Sequence, residues 1–229
     1  MFDVTLISAL YGGYDNLKDP VEQNGDVEYI CITDNPNLRS DVWQMVYWPK
    51  PQMTPFLAAK APKMHPAMYC NAPRSVWVDM SVQILSPDFA VEAAECARDG
   101  FATWPHPWNP NLDAEASESV QQFRYQQQLL PAQIRRFYTE GVPRDASVRH
   151  TAVVARAHNA VTEMVGFRWA AEYDWSMADQ IGFVYAMWRV GAPSYDLPMD
   201  QAFLMGFRTP SRPDAWLSHH HHTTVGVYG

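Results

Sequence analysis

"SVWVDMSVQI", residues 75–84, decides how the rest of the chain is read. Val76, Trp77 and Val78 form an apolar, strand-forming run, the pattern of a strand covered on both faces. The run ends at a carboxylate, Asp79, and turns apolar again at Val82 and Ile84. A charge at the end of a buried strand is either a turn residue or a group held at the rim of a sheet. Open α/β folds bind their ligands at that rim. Which reading applies depends on what else in the chain converges there.

Working outward, "DVTLISAL" (3–10) is a buried strand stopped by the turn "YGGYD" (11–15). "VEYICIT" (27–33) and "VWQMVYW" (42–48) read as the next two strands, and "RSVWVD" (74–79) as the fourth. Between the last two, "TPFLAAKAPKMHPAMY" reads as broken helix, interrupted at Pro62 and Pro66. Residues 86–100 have a helix start and stop: Ser86 can cap, Pro87 suits the first turn and Gly100 ends it. "FATW" is a short strand, and residues 113–140 are helical with a break at Pro131. A strand at 150–156 precedes two further helices, "NAVTEMVGFRWAAEY" and "SMADQIGFVYAMWRV". Strands alternate with helices, which predicts an α/β fold with a largely parallel sheet. The expected division is one domain over 1–210, followed by an extended, histidine-containing tail over 211–229.

The totals narrow the classes. The chain has 229 residues, enough for one sizeable core, with 47% hydrophobic and 18% charged residues. Its net charge of −8 advertises no global field for nucleic acid. Three widely spaced cysteines without a CxxC indicate neither a disulfide framework nor a zinc knuckle. The first ten residues lack a basic leader and carry Asp3, and no apolar run reaches the roughly 20 residues that span a bilayer. The expectation is a cytoplasmic protein with no membrane partner.

Several residues could carry chemistry at the rim. In "YGGYD", Gly12 and Gly13 would let a ligand approach the backbone, and Tyr11 and Tyr14 offer flat faces for a base; a tight turn with packed tyrosines is the plainer reading. Asp34, in "ITDNP", is a turn former or a contact to a ribose or base edge. Lys60 and Lys63 are two of only four lysines. They lie on one helical face, either solvated or placed to neutralise a diphosphate. One carboxylate makes a weak metal site, and Ser81 stands where a second acid would complete Asp-x-Asp. Asp79 therefore either draws a ligand from afar or binds substrate hydroxyls. His158 is expected at the same rim, at the end of strand 150–156, with Asn159 capping the next helix. Ser176 and Asp179 have capping-box spacing, which favours a capping role for Asp179. The run His219 to His222 is a mobile tail or a source of imidazole that closes over the site as a metal ligand.

Together these stretches resemble the TOD/MUCI-type glycosyltransferase-like domains of plants, bacteria and phages. The similarity rests on "YGGYD" (11–15), "EYICITD" (28–34), "KMHP" (63–66), "WVDM" (77–80), "HP" (106–107), "ARAHN" (155–159) and "ADQ" (178–180), in order over about residues 5–190. The resemblance implies a GT-A-like, Rossmann-related domain that transfers a sugar from a nucleotide-diphosphate donor. Asp79 would stand at the fold's metal-binding acid, with a divalent ion, manganese or magnesium, as cofactor. For the further ligands such an ion needs, the tail run offers His219, His220 and His221, apart from the resemblance, so that the expected metal set is Asp79 with these three. Asp179 and Gln180 would match a late acidic motif facing the sugar or acceptor, and His106, Glu115 and His158 fall on polar positions. Ala178 departs from the pattern's Arg, and Ser81 from its acid. The acceptor could be a glycan, a protein or a modified nucleobase. Two other classes remain: a metal-assisted hydrolase using the same acids and the C-terminal histidines, which would act without a nucleotide, and a carbohydrate- or partner-binding module served by the nine Trp and many Tyr, which would release no nucleoside diphosphate.

Overall fold

In a computed structural model, residues 2–122, 129–198 and 217–219 are described. The strands are β1 Val4–Leu10, β2 Val27–Thr33, β3 Gln44–Tyr47, β4 Arg74–Val78, β5 Val82–Ile84, β6 Phe101–Pro105, β7 Arg149–Ala157, β8 Ser194–Asp196 and β9 Leu217–His219. The helices are α1 Pro55–Met64, α2 Phe89–Cys96, α3 Leu112–Ser119, α4 Leu130–Glu140, α5 Ala160–Ala171 and α6 Asp179–Val190. Seven strands form one sheet in the order β3-β2-β1-β4-β7-β6-β8. The chain is thus a single α/β domain with a mixed, mostly parallel sheet flanked by helices.

Burial explains the layers. All seven residues of β1 are buried. Their alternate side chains face opposite ways, as strand geometry requires. Leu6 and Leu10 meet Ala90 and Ala93 of α2 on one face. Ile7 and Ala9 join Met64 of α1, Val165 and Trp169 of α5 and Phe183 of α6 on the other. A third apolar cluster, with Leu112, Phe137 and Ile181, ties α3 and α4 to α6.

The departure from a parallel sheet lies in β7, which runs antiparallel to both neighbours, β4 and β6. Arg74 pairs with Ala157 and Val78 with Val153, so the start of β7 lies beside the end of β4. The C-terminal ends of β1, β2, β4 and β6 therefore share one rim with Thr151. His158, expected at this rim, lies at the opposite edge. There its Nε2 is 2.9 Å from Ser75 Oγ, and burial, followed by the Arg156 charge, lowers its pKa to about 4.

Local expectations are corrected elsewhere. Pro62 does not break α1, which runs through it to Met64. Pro131 opens α4 from its first turn instead of interrupting a longer helix. The helix within 86–100 is shorter than expected, Phe89–Cys96, and Ser86 Oγ accepts from Asp88 N in the preceding turn. Asn159 caps α5 as expected, in a reciprocal capping box with Thr162. Leu217–His219 of the tail is a strand, β9, paired antiparallel with β5. Among the described residues no helix is long and apolar enough to cross a membrane.

Candidate active site

The rim carries an open cleft lined by Tyr11, Tyr14, Phe56, Lys60, Trp77 and Asp79, among others. Its wall on the β1 side is made by Tyr11, Tyr14 and Asp15, which flank the Gly-Gly turn. Gly12 and Gly13 have φ of +62° and +63°. A Cβ on Gly12 would sit 2.7 Å from Pro55 Cβ, so this position needs glycine twice over. Asp34 locks the turn, because both its carboxylate oxygens lie 3.1 Å from the Gly12 N–H. The Tyr11 hydroxyl donates to the Trp48 carbonyl at 2.7 Å, which fixes the ring beneath the turn. Burial raises the Tyr11 pKa, so this hydroxyl stays protonated.

At the base of the cleft Lys60 and Asp79 belong to a quartet of charges from three elements, with Lys63 and Asp179 behind them. Lys60 and Lys63, three residues apart, project from one face of α1. Lys63 Nζ bridges two carboxylates, 3.2 Å from Asp79 Oδ1 and 2.7 Å from Asp179 Oδ2. Lys60 Nζ lies 2.8 Å from Asp179 Oδ1. Trp77 Nε1 donates to Asp79 Oδ1 at 2.6 Å, and Thr151 Oγ1 to Asp179 Oδ2 at 3.0 Å. The solvated-face reading of the lysines is overturned, since their side chains are 13% and 1% exposed.

Burial alone would make each of these groups prefer neutrality, and partners decide the outcome. For Lys60 burial wins and lowers its pKa to about 8 against the pull of Asp179. For Lys63 burial is outweighed by Asp179 and Asp79, and the pKa rises. Asp179 is held ionised far below the carboxylate range, because Lys60 and Lys63 overcome its desolvation. Arg156, itself buried, donates to the carbonyls of Met64 at 2.8 Å and Lys63 at 3.1 Å. It thereby fixes the C-terminal end of α1, where a cation is favoured.

Asp179 does not cap its helix as its spacing suggested. It is the first residue of α6, Ala178 is the cap, and Ser176 Oγ donates to Gln133 Oε1 instead. Asp179 also does not line the cleft; it stands behind the lysines. Gln180 is half-buried beside it. Ser81 is buried in the β4–β5 turn and brings no second carboxylate. His106 and Glu115 do come together. His106 Nδ1 accepts from Asn109 N at 2.9 Å, which leaves Nε2 to face Glu115 Oε2 at 3.7 Å. Burial lowers the His106 pKa and raises that of Glu115, which also feels the charge of Asp179.

The described residues do not fit a divalent cation at Asp79. No group of three His, Cys, Asp or Glu converges among them. Asp79 Oδ1 already takes two donors and Asp179 three. A dication about 4 Å from an ammonium would be opposed by about 8 kcal/mol at an effective dielectric near 20. The backbone of His219 pairs with Val82, three residues beyond Asp79; His220, His221 and His222 lie outside the described residues.

Thr151, Trp77 and Arg156 were not singled out from the sequence. The only signal was a polar or charged residue inside an otherwise apolar strand run, "HTAVVARA" for two of them. No curated protein matches the chain. The family model described as TOD1/MUCI70, glycosyltransferase-like domain, matches residues 33–203. That span includes the whole quartet and leaves the Gly-Gly turn outside. With most of its length so matched, the chain belongs to the TOD1/MUCI70 glycosyltransferase-like domain family.

Proposed function

We propose that this protein transfers a sugar from a nucleotide-diphosphate donor to an acceptor hydroxyl. The observation that carries the reading is the cleft itself. It joins aromatic faces at Tyr11 and Tyr14, an ammonium at Lys60 and an open carboxylate at Asp79. The nucleoside lies against the Gly-Gly turn, where the backbone can be approached closely. The diphosphate meets Lys60, with Lys63 behind it. Sugar hydroxyls meet Asp79, whose side chain is 37% exposed and whose charge would repel phosphate.

In the reaction the anomeric C–O bond to the diphosphate breaks and its electron pair stays on the phosphate oxygen. The acceptor oxygen forms the new C–O bond and gives its proton to Asp79. Lysines fixed before the bond breaks stabilise the charge that grows on the leaving group. Asp179 keeps those lysines in place and, saturated by three donors, takes no proton itself. Gln180, beside Asp179, is assigned to the acceptor side.

A thermal-unfolding screen of nucleotide sugars tests this. A donor at about 100 times its Kd should stabilise the folded chain by about 2.7 kcal/mol. For a protein of this size that is a rise in Tm of about 5–10 °C. Asp79→Asn should keep the fold and lose transfer. If no nucleotide sugar raises the Tm, the reading fails.

A further inference from the structure

We infer that Lys63 and Lys60 occupy the place of a divalent cation, so that the site binds and discharges a diphosphate without added metal. This deepens the reading above and rests on it for the identity of the anion. Its geometric core does not. A divalent ion held by several oxygen ligands can link two carboxylates from different elements. Here one ammonium does it: Lys63 Nζ touches Asp79 from the end of β4 and Asp179 from the start of α6. Lys60 takes the remaining Asp179 oxygen.

The arrangement is built to stay. Lys63 is 1% exposed and cannot swing out to make room for an ion. The carbonyls of Lys63 and Met64 are held by the buried Arg156 guanidinium. Trp77 and Thr151 fill further acceptor directions on the two acids. Two ammoniums against two carboxylates also match the charge that a dication would bring to the same pair of acids. Lys60 lines the cleft beside Asp79, so of the two ammoniums it is the one offered to phosphate.

The test counts bound Mn²⁺ by the loss of the free-ion EPR signal, using Mn²⁺ alone. It compares the full-length protein with Asp79→Asn, Lys63→Met and the Lys63→Met/Asp79→Asn double variant. Ions taken up by the histidine run are common to all four and cancel. The full-length protein and Asp79→Asn should bind equally. Lys63→Met, which frees the two carboxylates, should gain about one Mn²⁺ that the double variant loses again. Extra Mn²⁺ on the unaltered protein relative to Asp79→Asn overturns the inference, as does a folded Lys63→Met that gains none. If Lys63→Met does not fold, the comparison of the unaltered protein with Asp79→Asn decides alone. A nucleotide sugar that raises the Tm should do so equally in EDTA and in Mn²⁺; a shift seen only with Mn²⁺ overturns the inference. If no nucleotide sugar acts, the donor reading has failed while the Mn²⁺ counts still stand.

Discussion

Burial lowers the pKa of Lys60 to about 8, and its side chain faces the cleft. A diphosphate bound beside it favours the ammonium and raises that pKa. Binding therefore takes up protons above about pH 8. Affinity should be full below that pH and fall as pH rises through it, by up to tenfold per unit, until the pKa of the bound state is passed. Calorimetric Kd values at pH 7, 8 and 9 check this, and Lys60→Met should bind weakly with a flat profile. A steep profile in Lys60→Met would assign the proton elsewhere. The lysines show how little of this was legible at residue level. Their scarcity and spacing were visible, but their burial was not, because it comes from Asp179, more than a hundred positions later. Asp179 was misread as a cap for the same reason: capping spacing is local, and its partners are not.

Among elements, the strands were the easiest part to read, because fully buried runs such as Val4–Leu10 and Arg74–Val78 are apolar throughout. Proline misled twice. Pro62 lies inside α1 and Pro131 starts α4, so position within a turn decided the outcome where residue type had suggested a break. The tail offered no periodicity from which to expect β9. It docks by backbone pairing, Val82 with His219 and Ile84 with Leu217, and by the Leu217 side chain, which is 3% exposed. Leu217→Ala should cost about 2–4 kcal/mol, the range for emptying a buried leucine site. Chemical denaturation measures it. A loss under about 0.5 kcal/mol, the scale of an ordinary surface substitution, would show that the strand is not docked.

At the scale of the molecule, strand direction places the site. The alternation of strands and helices made the α/β class and the rim legible, but nothing in "HTAVVARA" tells which way that strand runs in the sheet. Because β7 is antiparallel, it delivers Thr151 to the site and carries His158 away from it. His158→Ala should therefore leave transfer and donor KM unchanged while costing about 1 kcal/mol for the lost Ser75 hydrogen bond. A drop in kcat at unchanged stability would move the site to the other edge. The charge quartet also bears on ancestry and on engineering. Removing one partner of a buried pair costs about 3–5 kcal/mol, because the other charge is stranded. The buried pair Lys63 and Asp179 can then change only by joint substitution, although Lys63 lies in the first half of the chain and Asp179 in the second. A hybrid that splices this front half to the back half of a relative with a neutral residue at the place of Asp179 would inherit ammoniums without their counter-ion. Such a hybrid should fold poorly unless the counter-ion is restored with it.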